Sequence, residues 1–154
     1  MRYKTLRHTI LVTAFLLSKN SYSQHYPVNR YTVEDGLAHS NVFRLFQDRK
    51  GFLWIGTEYG LSRFDGNTFV NYTSSDGLSF NTIMSVSETA DETKWISTYG
   101  GGICTITGDT VRTYPVPGGP KAVVYTIVHR HNIWIIDKAS NLFLLLLSVP
   151  MEPK

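Results

Sequence analysis

The sequence predicts an all-β chain, a partial β-propeller of about two and a half four-stranded antiparallel blades preceded by a signal peptide. Three observations carry this expectation. A set of residues recurs at a nearly constant offset of about 41, which is the length of one propeller blade. Each recurring unit breaks into four short β-branched and aromatic runs separated by Gly and Asp turns, the pattern of an antiparallel meander. The first 23 residues are laid out as an export signal and carry no blade pattern.

In that N-terminal segment, Arg2, Lys4 and Arg7 precede an apolar run from Thr9 to Leu17, and Ser21 and Ser23 put small residues where a signal peptidase reads. Cleavage is expected after Ser23. The apolar run is short of the roughly 20 residues that span a bilayer. Four of the fifteen basic residues and none of the twelve acidic ones lie in this segment, so its removal takes the formal charge from +3 to about −1. The basic character therefore belongs largely to the export segment, and no nucleic-acid partner is expected. Cys104 is the only cysteine, which excludes an internal disulfide and a thiolate-built zinc site. No cofactor is expected.

After a lead-in at 24–34, the expected units are blade 1 at 35–75, blade 2 at 76–117, a partial blade 3 at 118–141 and an aberrant apolar tail at 142–154. Asp35-Gly36-Leu37 returns as Asp76-Gly77-Leu78, and Trp54-Ile55-Gly56-Thr57 returns as Trp95-Ile96-Ser97-Thr98, both 41 residues later. Trp134, within Ile133-Trp134-Ile135, opens a third copy 39 residues after Trp95. In the first unit the strands are expected at 42–46, 52–57, 61–64 and 68–72. Gly51 supplies the left-handed position of the first hairpin, Gly60 lies in the second loop, and Asp65-Gly66-Asn67 is a tight-turn signal. Stacking blades buries Trp54, Ile55, Phe64 and Phe69, because one twisted sheet cannot cover both of its own faces.

The stretch from Asn41 to Asp65, with Asp48, Gly51, Trp54-Ile55-Gly56-Thr57, Gly60-Leu61 and Phe64-Asp65, resembles the two-component regulator propeller repeat. The resemblance covers about residues 28–136. It implies the extracytoplasmic sensor portion of a hybrid two-component histidine kinase, periplasmic in a Gram-negative bacterium. Such sensors carry two propellers outside the membrane, and many respond to glycan fragments. The implied partners are a glycan or other small periplasmic ligand, and further blades or self-association. Contact with the membrane would come only through missing parts of the parent. The second unit departs from the pattern at Asp91-Glu92-Thr93-Lys94, at Ser97 and at Gly100-Gly101-Gly102. In the third, Asp137-Lys138 replaces Gly-Thr, and Leu142 to Leu147 has no blade counterpart. A closed propeller needs at least about four blades, so the chain is expected to be a truncated product or fragment of a larger sensor. The alternatives are a propeller-fold glycosidase or lyase fragment, or a protein-interaction propeller.

Other motifs are weaker. His129 and His131 lack further ligands for a metal and read as surface residues flanking a turn. Gly100-Gly101-Gly102 precedes a strand pattern, not the helix that a phosphate loop requires. The segment from Asp48 to Trp54 has two residues between Asp and Gly where a sialidase Asp-box has one, which argues against a glycosidase. Cys104 has no basic neighbour and reads as a packing residue. Tyr59, Tyr99 and Trp134 lie at or beside loops, where aromatic rings either pack on one another or stack on sugars. No catalytic residue is expected.

Overall fold

The computed structural model describes residues 27–114, 123–129 and 132–146. The expected signal peptide, Arg130 and His131 lie outside the described residues. The chain divides into residues 1–30 and a second unit, Tyr31–Lys154, which holds all the described strands.

Three antiparallel sheets follow one another along the chain. The first is β1 (Val42–Gln47), β2 (Leu53–Thr57), β3 (Gly60–Phe64) and β4 (Phe69–Tyr72). The second repeats it as β5 (Ile83–Glu88), β6 (Lys94–Thr98), β7 (Gly102–Thr107) and β8 (Thr110–Tyr114). The third has β9 (Val123–His129), β10 (Asn132–Asp137) and β11 (Leu142–Leu146). Within each sheet the strands lie side by side in sequence order. The sheets stack with their first strands adjacent, β1 on β5 and β5 on β9. The molecule is a partial β-propeller, as the repeat predicts.

One expectation about the third unit is corrected. The run from Leu142 was given no blade counterpart, and the third blade was ended at 141. Instead β11 pairs with β10 in register from Ile136 opposite Leu142 to Asn132 opposite Leu146. Asp137-Lys138 does not break the blade but opens its turn: Asp137 Oδ1 accepts from Asn141 N at 2.8 Å, and Ser140 takes the left-handed position at φ 64°.

Side chains alternate between the two faces of each sheet, and this decides what meets what. Trp54 and Leu61 face the second sheet, where they meet Ile83, Val86, Ile96, Cys104 and Ile106. Trp95 and Ile103 face the third sheet and meet Val123, Ile133 and Ile135. Each Ile or Leu buried in these seams contributes about 1.5–3 kcal/mol relative to exposure. Gly56 sets how closely the first two blades approach: a Cβ there would stand 2.8 Å from Ile83 Cγ2. Ser97, its counterpart, instead brings its hydroxyl to 2.6 Å from Ser85 Oγ.

Before each of the first two blades the chain makes the same cap. Thr32 and Thr73 open short 3-10 turns closed by Asp35 and Asp76, whose carboxylates accept from the Thr backbone N–H at 2.7 and 2.8 Å. Gly36 and Gly77 end these turns at φ 108° and 106°, where a side chain would be strained. Leu37 and Leu78 then insert into the sheet face. The next amide is held in the same place in both: Ala38 N donates to Ser62 Oγ and Ser79 N donates to Cys104 Sγ, each at 3.0 Å.

Candidate functional site

Two regions gather polar and aromatic groups, one at each end of the strands. The first lies where the hairpins β1–β2 and β5–β6 turn, between blades 1 and 2. Asp48 closes its turn by accepting from Phe52 N at 2.9 Å, and Gly51 completes it at φ 90°. Asp48 also accepts from Trp54 Nε1 at 2.8 Å, which holds the buried indole in place. In blade 2, Thr89 Oγ1 takes over this role toward Trp95 Nε1 at 3.3 Å. Lys94, at the blade-2 position matching Leu53, reaches back across the seam. Its Nζ lies 3.2 Å from Asp48 Oδ2 and 3.0 Å from Glu88 Oε1, and it donates to Glu92 O at 3.0 Å. All three charged side chains are buried. Burial would raise the Asp48 pKa, but hydrogen bonds from Trp54 and Lys94 outweigh it and hold the carboxyl below its ordinary value.

A cavity of about 210 Å³ opens beside this triad, lined in part by Lys50, Arg63 and Asp109. Its rim charges are paired among themselves: Arg63 with Asp109 at 2.7 Å and Lys50 with Glu92 at 2.6 Å. Both carboxylates of the buried triad are committed to Lys94, which leaves neither poised as a general acid or base. Among the described residues no group of His, Cys, Asp and Glu could hold a metal.

The second region is the opposite end, formed by the β2–β3 and β6–β7 loops and the cap-to-blade segments. Thr57 and Thr98 shape the two loops alike, donating to Gly60 O at 2.7 Å and Gly102 O at 3.1 Å. The turns push Tyr59 and Tyr99 outward, 61% and 42% exposed, far more open than the blade aromatics beneath them. Around Tyr59, the His39 ring lies 5.2 Å away, and Asn41 Nδ2 donates to Glu58 Oε2 at 2.6 Å. Lys138 Nζ stands 5.5 Å from the Tyr99 ring centre, and Phe80 is exposed beside Gly100. This rim offers aromatic faces bordered by donors and acceptors, and it continues from one blade to the next.

The remaining motif residues do structural work. Asp65 accepts from Asn67 N and Thr68 N at 2.8 and 2.7 Å, with Gly66 in the left-handed region at φ 101°. The Thr68 and Asn67 amides hold the Asp65 carboxyl below its usual range. Ile55 and Phe64 form, with Leu37, a small core on the outer face of blade 1. Trp134 sits in β10 opposite Ile127 and Leu144, on the face turned away from blade 2, and stays partly exposed. Lys94 and Glu88 were missed from sequence, and the only signal was a lysine at a strand position that holds leucine in the first unit.

Residues 36–59 match the family described as two component regulator propeller. This stretch is a two-component regulator propeller repeat. It covers the cap, β1, β2 and the Tyr59 loop. Over 63 residues the chain is 38% identical to "Histidine kinase P4" of Formosa agariphila, which is 41% of this chain and 5% of that protein. Among solved structures, it is similar to the extracellular domain of the hybrid two component system BT3049 from B. thetaiotaomicron. The TM-score is 0.64 at 25% identity, over 84% of this chain and 22% of that one. The extracellular domain of the BT4673 system from the same organism shares the fold, with a TM-score of 0.67 at 21% identity over 86% of this chain and 20% of that one. The chain thus spans about a fifth of the length of these structures and a twentieth of the kinase.

Proposed function

We propose that this chain is an extracytoplasmic, ligand-sensing blade segment of a two-component sensor, exported to the periplasm, with no catalytic activity of its own. The observation that carries this reading is the regulator propeller repeat at 36–59, seated in a stacked blade, in a chain similar to extracellular domains of two-component systems. A histidine kinase parent is in keeping with the match to a kinase. The buried pairing of Asp48 and Glu88 with Lys94 weighs against a hydrolase, since it leaves no free carboxylate pair at that cavity.

The ligand in this reading is an oligosaccharide lying across the loop rim. A pyranose presents an apolar C–H face that stacks on an aromatic ring, while its hydroxyls need donors and acceptors at the ring's edge. Tyr59 and Tyr99 supply such faces, and Glu58, His39 and Asn41 supply the polar border. Calorimetric titration with a panel of oligosaccharide fragments tests this. Binding should weaken about tenfold or more, roughly 1.4 kcal/mol, in Tyr59→Ala or Tyr99→Ala. It should be unchanged in Asn67→Ala, at the opposite end of the blade. Binding that ignores both tyrosines, or catalytic release of sugar, would sink the proposal.

A further inference from the structure

Blades 1 and 2 treat one pair of rim positions differently. In blade 1, His39 follows the Leu37 cap, and Tyr59 from the β2–β3 loop lies against its ring at 5.2 Å. The residue 41 positions after His39 is Phe80. It occupies the same place in blade 2. Just before it, Ser79 N is held as Ala38 N is, each at 3.0 Å from its acceptor. Just after it, Thr82 O accepts from Tyr99 N at 3.0 Å, as Asn41 O accepts from Glu58 N at 3.1 Å. What blade 2 lacks is the second ring. Its β6–β7 loop is one residue longer than the β2–β3 loop. Counted from the start of the loop, Tyr59 matches Gly100, and counted from the end it matches Gly101. Blade 2 has glycine either way.

The two glycines act differently. A Cβ at Gly101 would collide with the carbonyl oxygen of Ser79, so only glycine lets the loop lie on the segment that carries Phe80. Ser79 is itself fixed, with its Oγ 3.2 Å from Thr98 Oγ1 and 2.9 Å from Cys104 Sγ. At Gly100 a side chain would fit. A Cβ there would stand 3.7 Å from three adjacent atoms of the Phe80 ring, an ordinary contact distance. The space before the ring is therefore room for a side chain that the sequence does not supply, and Phe80 is left 45% exposed. A phenyl ring that is held in place and left open to water has already met the ordering cost that binding would otherwise impose.

This open ring is continuous with the rest of the rim. Tyr99 precedes Gly100 and is itself exposed. Thr82 Oγ1 donates to Glu58 O at 3.2 Å, while Thr82 O accepts from Tyr99 N. One residue thus holds the loop of blade 1 with its side chain and the loop of blade 2 with its backbone. The ring of Phe80 is thereby fixed relative to both tyrosine loops.

We propose that Phe80 and Gly100 form a sugar subsite in the rim: one pyranose unit stacks on Phe80 in the space that Gly100 leaves open. This rests on the oligosaccharide reading of the rim given above. Phe80 has no hydroxyl, unlike Tyr59 and Tyr99, so the stacked face of that unit carries C–H groups and no axial hydroxyl. A hydroxyl pressed against the phenyl ring would lose water without gaining a partner. In blade 1 the matching space is filled by Tyr59, so the subsite belongs to blade 2 alone among these two blades.

Calorimetric titration of the purified chain with a panel of cello-, xylo-, manno- and galacto-oligosaccharides tests the subsite. Phe80→Ala removes the stacking face. Gly100→Leu fills the space before it with a chain that has no ring. Each should weaken binding about tenfold, with the melting temperature nearly unchanged, since both positions are exposed. Phe80→Tyr keeps the face and should bind nearly as the natural chain does. The double variant Phe80→Ala/Gly100→Leu should lose no more than either single variant, because both act on one subsite. Additive losses would mean that the leucine acts by distorting the loop, and would overturn the proposal. Binding that falls in Tyr59→Ala and Tyr99→Ala but holds in Phe80→Ala and Gly100→Leu would overturn the subsite and leave the rim reading standing. A chain that binds no member of the panel would overturn both.

Discussion

Lys94 is the residue whose surroundings say most about how the blades are held in order. A lysine buried between two carboxylates has left water at a cost that its partners must offset. It joins Asp48 of blade 1 to Glu88 of blade 2. Lys94→Met should lower stability by about 3–5 kcal/mol, because it leaves two buried carboxylates with no cation between them. Lys94→Met combined with Asp48→Asn and Glu88→Gln should recover much of that loss, because it removes both stranded charges while an amide oxygen can still accept from Trp54 Nε1. Urea denaturation of the single and triple variants measures both. The pH dependence has a definite sign. The folded-state pKa of Asp48 is held below its ordinary value, while in the unfolded chain it is about 3.9. Its contribution is therefore present above that value and is lost as pH falls through the folded pKa. Melting temperature should drop as pH falls below about 4, and Asp48→Asn should flatten that slope. Sequence made Asp48 and Trp54 legible because they recur or belong to a long motif. Lys94 was not legible, because a charged residue in a strand usually faces water, and only the fold brings Asp48 and Glu88 to it.

At the level of elements, the caps and turns were legible and the last strand was not. Asp35-Gly36-Leu37 and Asp76-Gly77-Leu78 announce themselves by repetition, and the structure shows why each residue type is needed there. Asp closes the 3-10 turn, Gly takes a φ near 107°, and Leu fills the sheet face. Gly77→Ala adds a strained left-handed residue and sets a Cβ 3.3 Å from Val111 O, so it should cost at least about 1 kcal/mol. Gly51→Asn, at φ 90° with nothing within 4 Å of an added Cβ, should cost less than half of that. The difference between their urea midpoints is the check. In contrast, β11 reads LFLLL, with no alternation and no match to the repeat. An unbroken apolar run carries no strand period to read, and in the described residues its far face stays open, with Leu142 61% and Leu144 46% exposed. Only the observed pairing with β10 shows that the run is the third strand of a blade.

Across the whole molecule, blades behave as a row of units in which each seam contributes its own share of stability. Among the described residues the two seams are unequal. The blade 1–2 seam encloses Trp54, Leu61, Tyr72, Leu78, Ile96 and Ile106 and is tied by the Lys94 triad. The blade 2–3 seam holds the smaller set of Trp95, Ile103, Val123, Ile133 and Ile135, with Ser85 Oγ accepting from Thr126 N at 2.8 Å. The third sheet also leaves Ile127 and Leu144 in water on its far face. A unit with one weak seam and one open face opens before its neighbours. Amides of β10 should therefore exchange at least about tenfold faster than those of β6, although both are central strands of their sheets. Hydrogen exchange read by mass spectrometry checks this, and equal protection of the two strands would mean that both seams open together.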